Sequence, residues 1–169
     1  LYASAASAVT VLPDELSTRD RWVAAKLLGV DAPPPNPGLE VVRNYDSIQK
    51  DARFGRPLTI GGRQYEHGLF CHAESHIVVR LPKPGKTFSA AAGLDSNEQT
   101  TPGRGSIVFS VTVGGTEAFR SGVLREGMEA VPVEVGLGGA REFSISVSDA
   151  GDGISCDQAD WAEAQVTLE

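Results

Sequence analysis

Four carboxylates and a tryptophan fall within thirteen residues, Asp149-Ala-Gly-Asp152-Gly-Ile-Ser-Cys-Asp157-Gln-Ala-Asp160-Trp161. Acids beside an aromatic suit a sugar, whose edges offer hydroxyl donors and whose face offers C–H groups. The same oxygens suit Ca2+, which takes several oxygen ligands at once. The acids are not spaced as in an EF-hand, which needs them at alternate positions and a glutamate at the twelfth. Gly151 and Gly153 bend the chain, so the spacing predicts a loop between two strands. Each acid has a second reading, as a cap on backbone N–H groups in tight turns. Trp161 likewise either offers a stacking platform or plugs the end of a core.

A second polar stretch runs Asp95-Ser-Asn97-Glu98-Gln-Thr-Thr-Pro-Gly-Arg104-Gly105. Its amide, carboxylate and guanidinium groups can make paired hydrogen bonds to vicinal diols, or simply keep a loop soluble. It follows the apolar run 90–93, which can bring it to the same end of a domain as 149–161. His72, Glu74 and His76 alternate onto one face of a strand, a triplet able to hold a transition metal. No third histidine or cysteine is placed to close that shell. His72 therefore reads as a ring fixed by a carboxylate, still able to donate to a ligand hydroxyl. Tyr65 reads as core and Tyr45 as a freer loop aromatic.

Strands must position these groups. Apolar residues alternate with polar ones at 77–81, 107–113, 131–135 and 143–147. That beat predicts half-buried antiparallel strands with one dry face and one wet face. Gly61-Gly62 and Gly114-Gly115 predict hairpin turns. Eight or nine such strands indicate an all-β fold, a two-sheet antiparallel β-sandwich. The first 38 residues differ. Trp22, Val23, Leu27 and Leu28 are spaced for one face of a short helix, with Ser17 or Thr18 as N-cap and Gly29 as stop. Four prolines between Ala32 and Gly38 then impose a stiff extended linker. The chain thus divides into a helical appendage with its linker, 1–38, and a β-sandwich, 39–169.

Composition narrows the function. The 169 residues carry a formal net charge of -7, which argues against a nucleic-acid backbone as partner. No run of 18 or more apolar residues exists, so no helical membrane span is expected. Residues 1–12 lack the basic residues and apolar core of a signal peptide. Cys71 and Cys156 show no zinc spacing and are either a disulfide or two free thiols.

Four motifs together resemble one known family. Leu58-Thr-Ile-Gly-Gly62-Arg-Gln-Tyr65-Glu-His-Gly68-Leu-Phe-Cys-His72-Ala-Glu-Ser75-His-Ile77 is similar to the signature G-x-x-Y-x-x-G-x-x-x-H-x-x-S-x-I. Ala92-Gly93-Leu94-Asp95 resembles the strand end VGVDD. Gly105-Ser106 through Val113-Gly-Gly resembles the hairpin GSVxFxVxxDG. Gly151-Asp152-Gly153 through Asp157-Gln158-Ala-Asp160-Trp161-Ala resembles GDGxxxDHADWA. The family is the NPCBM/NEW2 domain, also grouped as carbohydrate-binding module family 51, and the resemblance runs from about 39 to 168. It departs at Gln158, where the family often has histidine, and at Leu94-Asp95-Ser96.

The resemblance implies a jelly-roll sandwich related to galactose-binding-like modules. It implies recognition of galactose-containing glycans, often a structural calcium ion, and a linked secreted glycoside hydrolase of α-galactosidase-like kind. The setting implied is extracellular or periplasmic. The residues expected to meet the sugar are His72, Asp95, Asn97, Glu98, Arg104, Asp157 and Trp161. Those expected to hold calcium are Asp149, Asp152 and Asp160. No catalytic role is expected, because a sandwich of this size rarely forms a cleft with two opposed acids. The alternative is a domain that braces a larger glycosidase without binding sugar itself.

Overall fold

Every stretch whose apolar residues alternate has become a strand. The computed structural model describes residues 36–169, and Pro37–Glu169 form one compact unit. The helix expected near 17–28 and most of the proline-rich stretch lie outside the described residues. The strands run β1 (Gly38–Arg43), β2 (Gln49–Lys50), β3 (Leu58–Ile60), β4 (Arg63–Tyr65), β5 (Gly68–His72), β6 (Ser75–Arg80) and β7 (Gly85–Leu94). Then follow β8 (Ser106–Val113), β9 (Thr116–Arg120), β10 (Leu124–Arg125), β11 (Val131–Gly136), β12 (Glu142–Ser148) and β13 (Gln158–Leu168).

They build an all-β, two-sheet antiparallel sandwich. One sheet runs β1-β6-β12-β8-β10 with β9 beside β8; the other runs β11-β7-β13-β5-β2. The period of two explains the core. Ile107, Phe109 and Val111 point inward from β8, as do Phe143, Ile145 and Val147 from β12. They meet Phe88, Ala90 and Ala92 of β7 and Val133 and Val135 of β11. Trp161 sits among them at 0% exposure, edge-on to Phe109 at 4.7 Å and tilted against Phe88 at 5.9 Å.

The small β3–β4 hairpin turns at Gly61-Gly62 and forms a second cluster on the outer face of the five-stranded sheet. Leu58, Ile60 and Tyr65 of the hairpin bury Phe70 and Ala162 there. Ile60 occupies the space above Gly93, where even a Cβ would lie 2.2 Å from its Cγ2. This second layer changes the reading of 149–161. Only the first part of that segment is a loop, and Gln158 to Trp161 open β13. Ala159 and Trp161 face the main core, while Asp160 and Ala162 face the hairpin, so both sides of the strand are buried. A strand covered on both faces shows no clean alternation.

Candidate functional site

The site grows from one tight turn. Arg53 and Arg56 exchange backbone hydrogen bonds at 2.8 and 2.9 Å, with Phe54 and Gly55 between them at φ 46° and 78°. Two successive left-handed residues are what a two-residue hairpin turn requires. The turn aims Arg53 inward and Arg56 outward. Arg53 is buried, with its guanidinium against the Phe54 ring at 5.6 Å and the Phe70 ring at 6.0 Å. Its Nε donates to Gln158 Oε1 at 2.8 Å and lies 3.5 Å from Asp95 Oδ1, and its Nη1 donates to Glu98 at 3.3 Å. Arg56 meets the other oxygen of Glu98 at 3.0 Å.

The 95–105 loop and the start of β13 close around Arg53. Asn97 Nδ2 donates to Asp95 Oδ1 at 2.6 Å and to Gln158 Oε1 at 2.8 Å. Gln158 in turn donates to Gln99. Asp95 Oδ2 accepts from the Thr59 amide at 3.2 Å, which ties the hairpin to the same cluster. Asp160 lies beside Asp95 in full burial. Burial first, then the Asp95 carboxylate, pushes its carboxyl well above the ordinary range. The neutral acid can donate to Asp95 where a second anion would be repelled.

His72 is the cross-strand neighbour of Gln158. Its Nδ1–H donates to the Ala73 carbonyl at 2.7 Å. Its ring packs against Tyr45 at 4.9 Å, and Tyr45 is 67% exposed. A rim of exposed Tyr45, Glu98 and Arg56 therefore borders buried His72 and Gln158, with exposed Phe54 beside it.

The 149–157 loop joins this end of the sandwich from the other side. Asp157 Oδ1 accepts from the Ser106 amide at 2.9 Å, and Asp152 accepts from the Ser106 hydroxyl. Gly105 lets the two loops touch, since a Cβ there would lie 2.4 Å from the Cys156 carbonyl oxygen. Asp157 is fully buried and its Oδ2 has no partner. Burial, then repulsion from Asp152, Asp149 and Glu74, pushes its carboxyl up to about 6.

The sequence-predicted residues are thus brought together in part. His72, Asp95, Asn97 and Glu98 lie at this end of the sandwich, with His72 and Asp95 buried and Asp95 spent on Asn97, Thr59 and Arg53. Arg104 is exposed in the adjoining loop, bonded to the Gln99 carbonyl at 3.4 Å. Asp157 lies beneath the surface on Ser106. Trp161 corrects the stacking expectation, because its indole is sealed in the core between Phe88 and Phe109. Asp149, Asp152 and Asp160 do not converge, since Asp160 lies with Asp95 under the hairpin. Among the described residues no group of three His, Cys, Asp or Glu side chains is placed to hold a metal ion, so this trio does not fit calcium. His72 and His76 lie in different sheets, and His76 bonds Ser146 Oγ at 2.7 Å. Both cysteines are free thiols; burial pushes Cys71 up to about 12.

Arg53, Phe54 and Arg56 join the candidate site without having stood out in the sequence, and Gln158 stood out only as a departure from the family. The signal was faint: a glycine turn between two arginines, and a glutamine where the family has histidine.

Known proteins resemble this chain. The NPCBM/NEW2 domain family model matches residues 36–167. A Renibacterium salmoninarum protein named for endo-alpha-N-acetylgalactosaminidase activity is 29% identical over 164 residues, 96% of this chain and 10% of its own length. Alpha-1,3-galactosidase B of Akkermansia muciniphila is 34% identical over 110 residues, 63% of this chain and 13% of its own. The chain therefore spans about a tenth of the length of the curated relatives it matches. Among solved structures, the family 51 carbohydrate-binding module of a Clostridium perfringens family 95 glycoside hydrolase, in complex with methyl-galactose, superposes with a TM-score of 0.68. It is 28% identical, and the match covers 76% of this chain and 92% of that one.

Proposed function

From the premise that this chain belongs to the NPCBM/NEW2 domain family, we propose that it binds galactose-containing glycans at the Tyr45–Arg56 rim. The chain is a non-catalytic carbohydrate-binding module of the kind found in glycoside hydrolases. The observation that carries the reading is Phe54. A bulky residue in left-handed backbone costs on the order of 1 kcal/mol, and here the cost holds an aromatic ring 55% exposed at the surface. Beside it stand Arg56 and Glu98, an exposed cation and anion paired at 3.0 Å, a donor and an acceptor of the kind a vicinal diol engages. An apolar face next to donor and acceptor is what a galactose ring needs.

The module is one part of a larger secreted glycoside hydrolase with α-galactosidase-like chemistry, extracellular or periplasmic. The galactosidase and galactosaminidase names of its relatives and the methyl-galactose bound by its structural neighbour support this. A shallow rim gives weak affinity, millimolar to micromolar, or about 4–8 kcal/mol. Its service to the linked enzyme is a raised local substrate concentration.

A glycan array of the folded domain tests the reading. Signal on galactose-terminated glycans that competes with free methyl galactoside is expected. A folded protein that gives no signal on any glycan would instead favour a domain that only braces its enzyme.

A further inference from the structure

The outer face of the five-stranded sheet is only half covered. The β3–β4 hairpin shields the half around Phe70 and Ala162, and the rest is open. Strand register sets its shape. Glu134, Ser89 and Gln165 lie in one row across β11, β7 and β13, and Pro132, Ala91 and Ala162 in the next. Long side chains flank a short one in the first row and the second row is short throughout, which leaves a channel along β7. Two adjoining hollows, of 440 and 280 Å³, meet at Arg63, Tyr65 and Ala130. Both are of the size or near the size of small-ligand sites.

The channel is lined with carboxylates that have no partner. Glu163 sits at a break in the β13–β7 register, at φ 50°, with its amide held by the His67 carbonyl at 2.8 Å. Among the described residues the Glu129, Glu134 and Glu163 side chains make no ion pair or hydrogen bond. The Arg63 guanidinium lies over the Tyr65 ring at 4.9 Å rather than on any of these acids. Three carboxylates against one guanidinium disfavour an anionic ligand. Unpaired acceptors and donors above a floor of alanine and proline suit a neutral chain of hydroxyls and C–H faces.

We infer that this channel is a second carbohydrate-binding surface, which takes the inner rings of a neutral oligosaccharide. The inference rests on the carbohydrate-binding reading of the chain but not on the rim. Two surfaces on one glycan act by effective concentration, so each raises retention beyond its own affinity.

Amide chemical shifts of the full chain decide it, with methyl galactoside and with neutral tetrasaccharides ending in galactose, N-acetylglucosamine or glucose. At least one tetrasaccharide is expected to move the amides of Ser89, Ala91, Glu134 and Gln165. The double variant Arg63→Ala/Glu134→Ala is expected to lose those shifts and to bind the tetrasaccharide about tenfold more weakly. Its methyl galactoside response near Phe54 and Glu98 should be unchanged. Tetrasaccharides that leave the channel amides still, or a double variant that binds them like the parent, overturn the inference. Failure of methyl galactoside to move any rim amide counts against the rim alone, because the channel amides report separately.

Discussion

Gln158 Oε1 accepts two hydrogen bonds at 2.8 Å, one from Arg53 Nε across 105 positions of chain and one from Asn97 Nδ2 across 61. That one oxygen links the 53–56 turn, the 95–105 loop and β13. Its rigidity comes from burial, where a hydrogen bond left unmade costs more than one made contributes. The exposed residues of the rim inherit their positions from it.

Arg53 should resist even conservative change. A lysine keeps the charge but lacks the planar fork that reaches Gln158 and Glu98 together. Arg53→Lys is expected to lower stability by about 2–3 kcal/mol in urea unfolding, since buried Asp95 loses its best-placed cation. A loss below about 0.5 kcal/mol would show that Asp95 is satisfied without it.

Phe54 should separate stability from binding. Asparagine enters left-handed backbone far more readily than phenylalanine. Phe54→Asn is therefore expected to keep or raise the melting temperature while weakening galactoside binding about tenfold, the worth of one stacked ring. Unchanged binding by titration calorimetry would remove Phe54 from the site.

Trp161 should behave in the opposite way. Trp161→Phe leaves a void between Phe88 and Phe109 and is expected to cost on the order of 2–3 kcal/mol. Binding per folded molecule should stay near that of the parent. A stable variant with lost binding would contradict the buried placement.

Asp157 gives a pH signature. Its carboxyl titrates at about 6 in the fold and at the ordinary carboxylate value when unfolded, so the folded chain holds this proton more tightly. The group therefore costs stability at neutral pH, and the cost fades as pH falls through 6 toward about 4. Asp157→Asn is expected to gain on the order of 1 kcal/mol at pH 7 and to flatten melting temperature against pH in that window. A parent and variant with parallel profiles would refute it. Calcium that stabilises the parent but not the variant would instead mark Asp157 Oδ2 as a cation ligand.

The sandwich was legible because its strands are half-buried. Phe143, Ile145 and Val147 alternate with serines, and that pattern admits one arrangement. The rim was less so. Asn97 and Glu98 stood out as polar loop residues, but Arg53 drew no notice because its role depends on partners 45 and 105 positions away. Trp161 and Asp160 misled for a related reason. They sit next to a glycine-bent loop, yet the β3–β4 hairpin turns their strand into interior on both sides, which local spacing does not reveal.

Gly105 and Cys156 meet main chain to main chain, so no side chain there can be shortened to make room. An insertion in either loop must therefore be answered in the other, and the shape of this end of the sandwich can be re-engineered only by exchanging the two loops as a matched set.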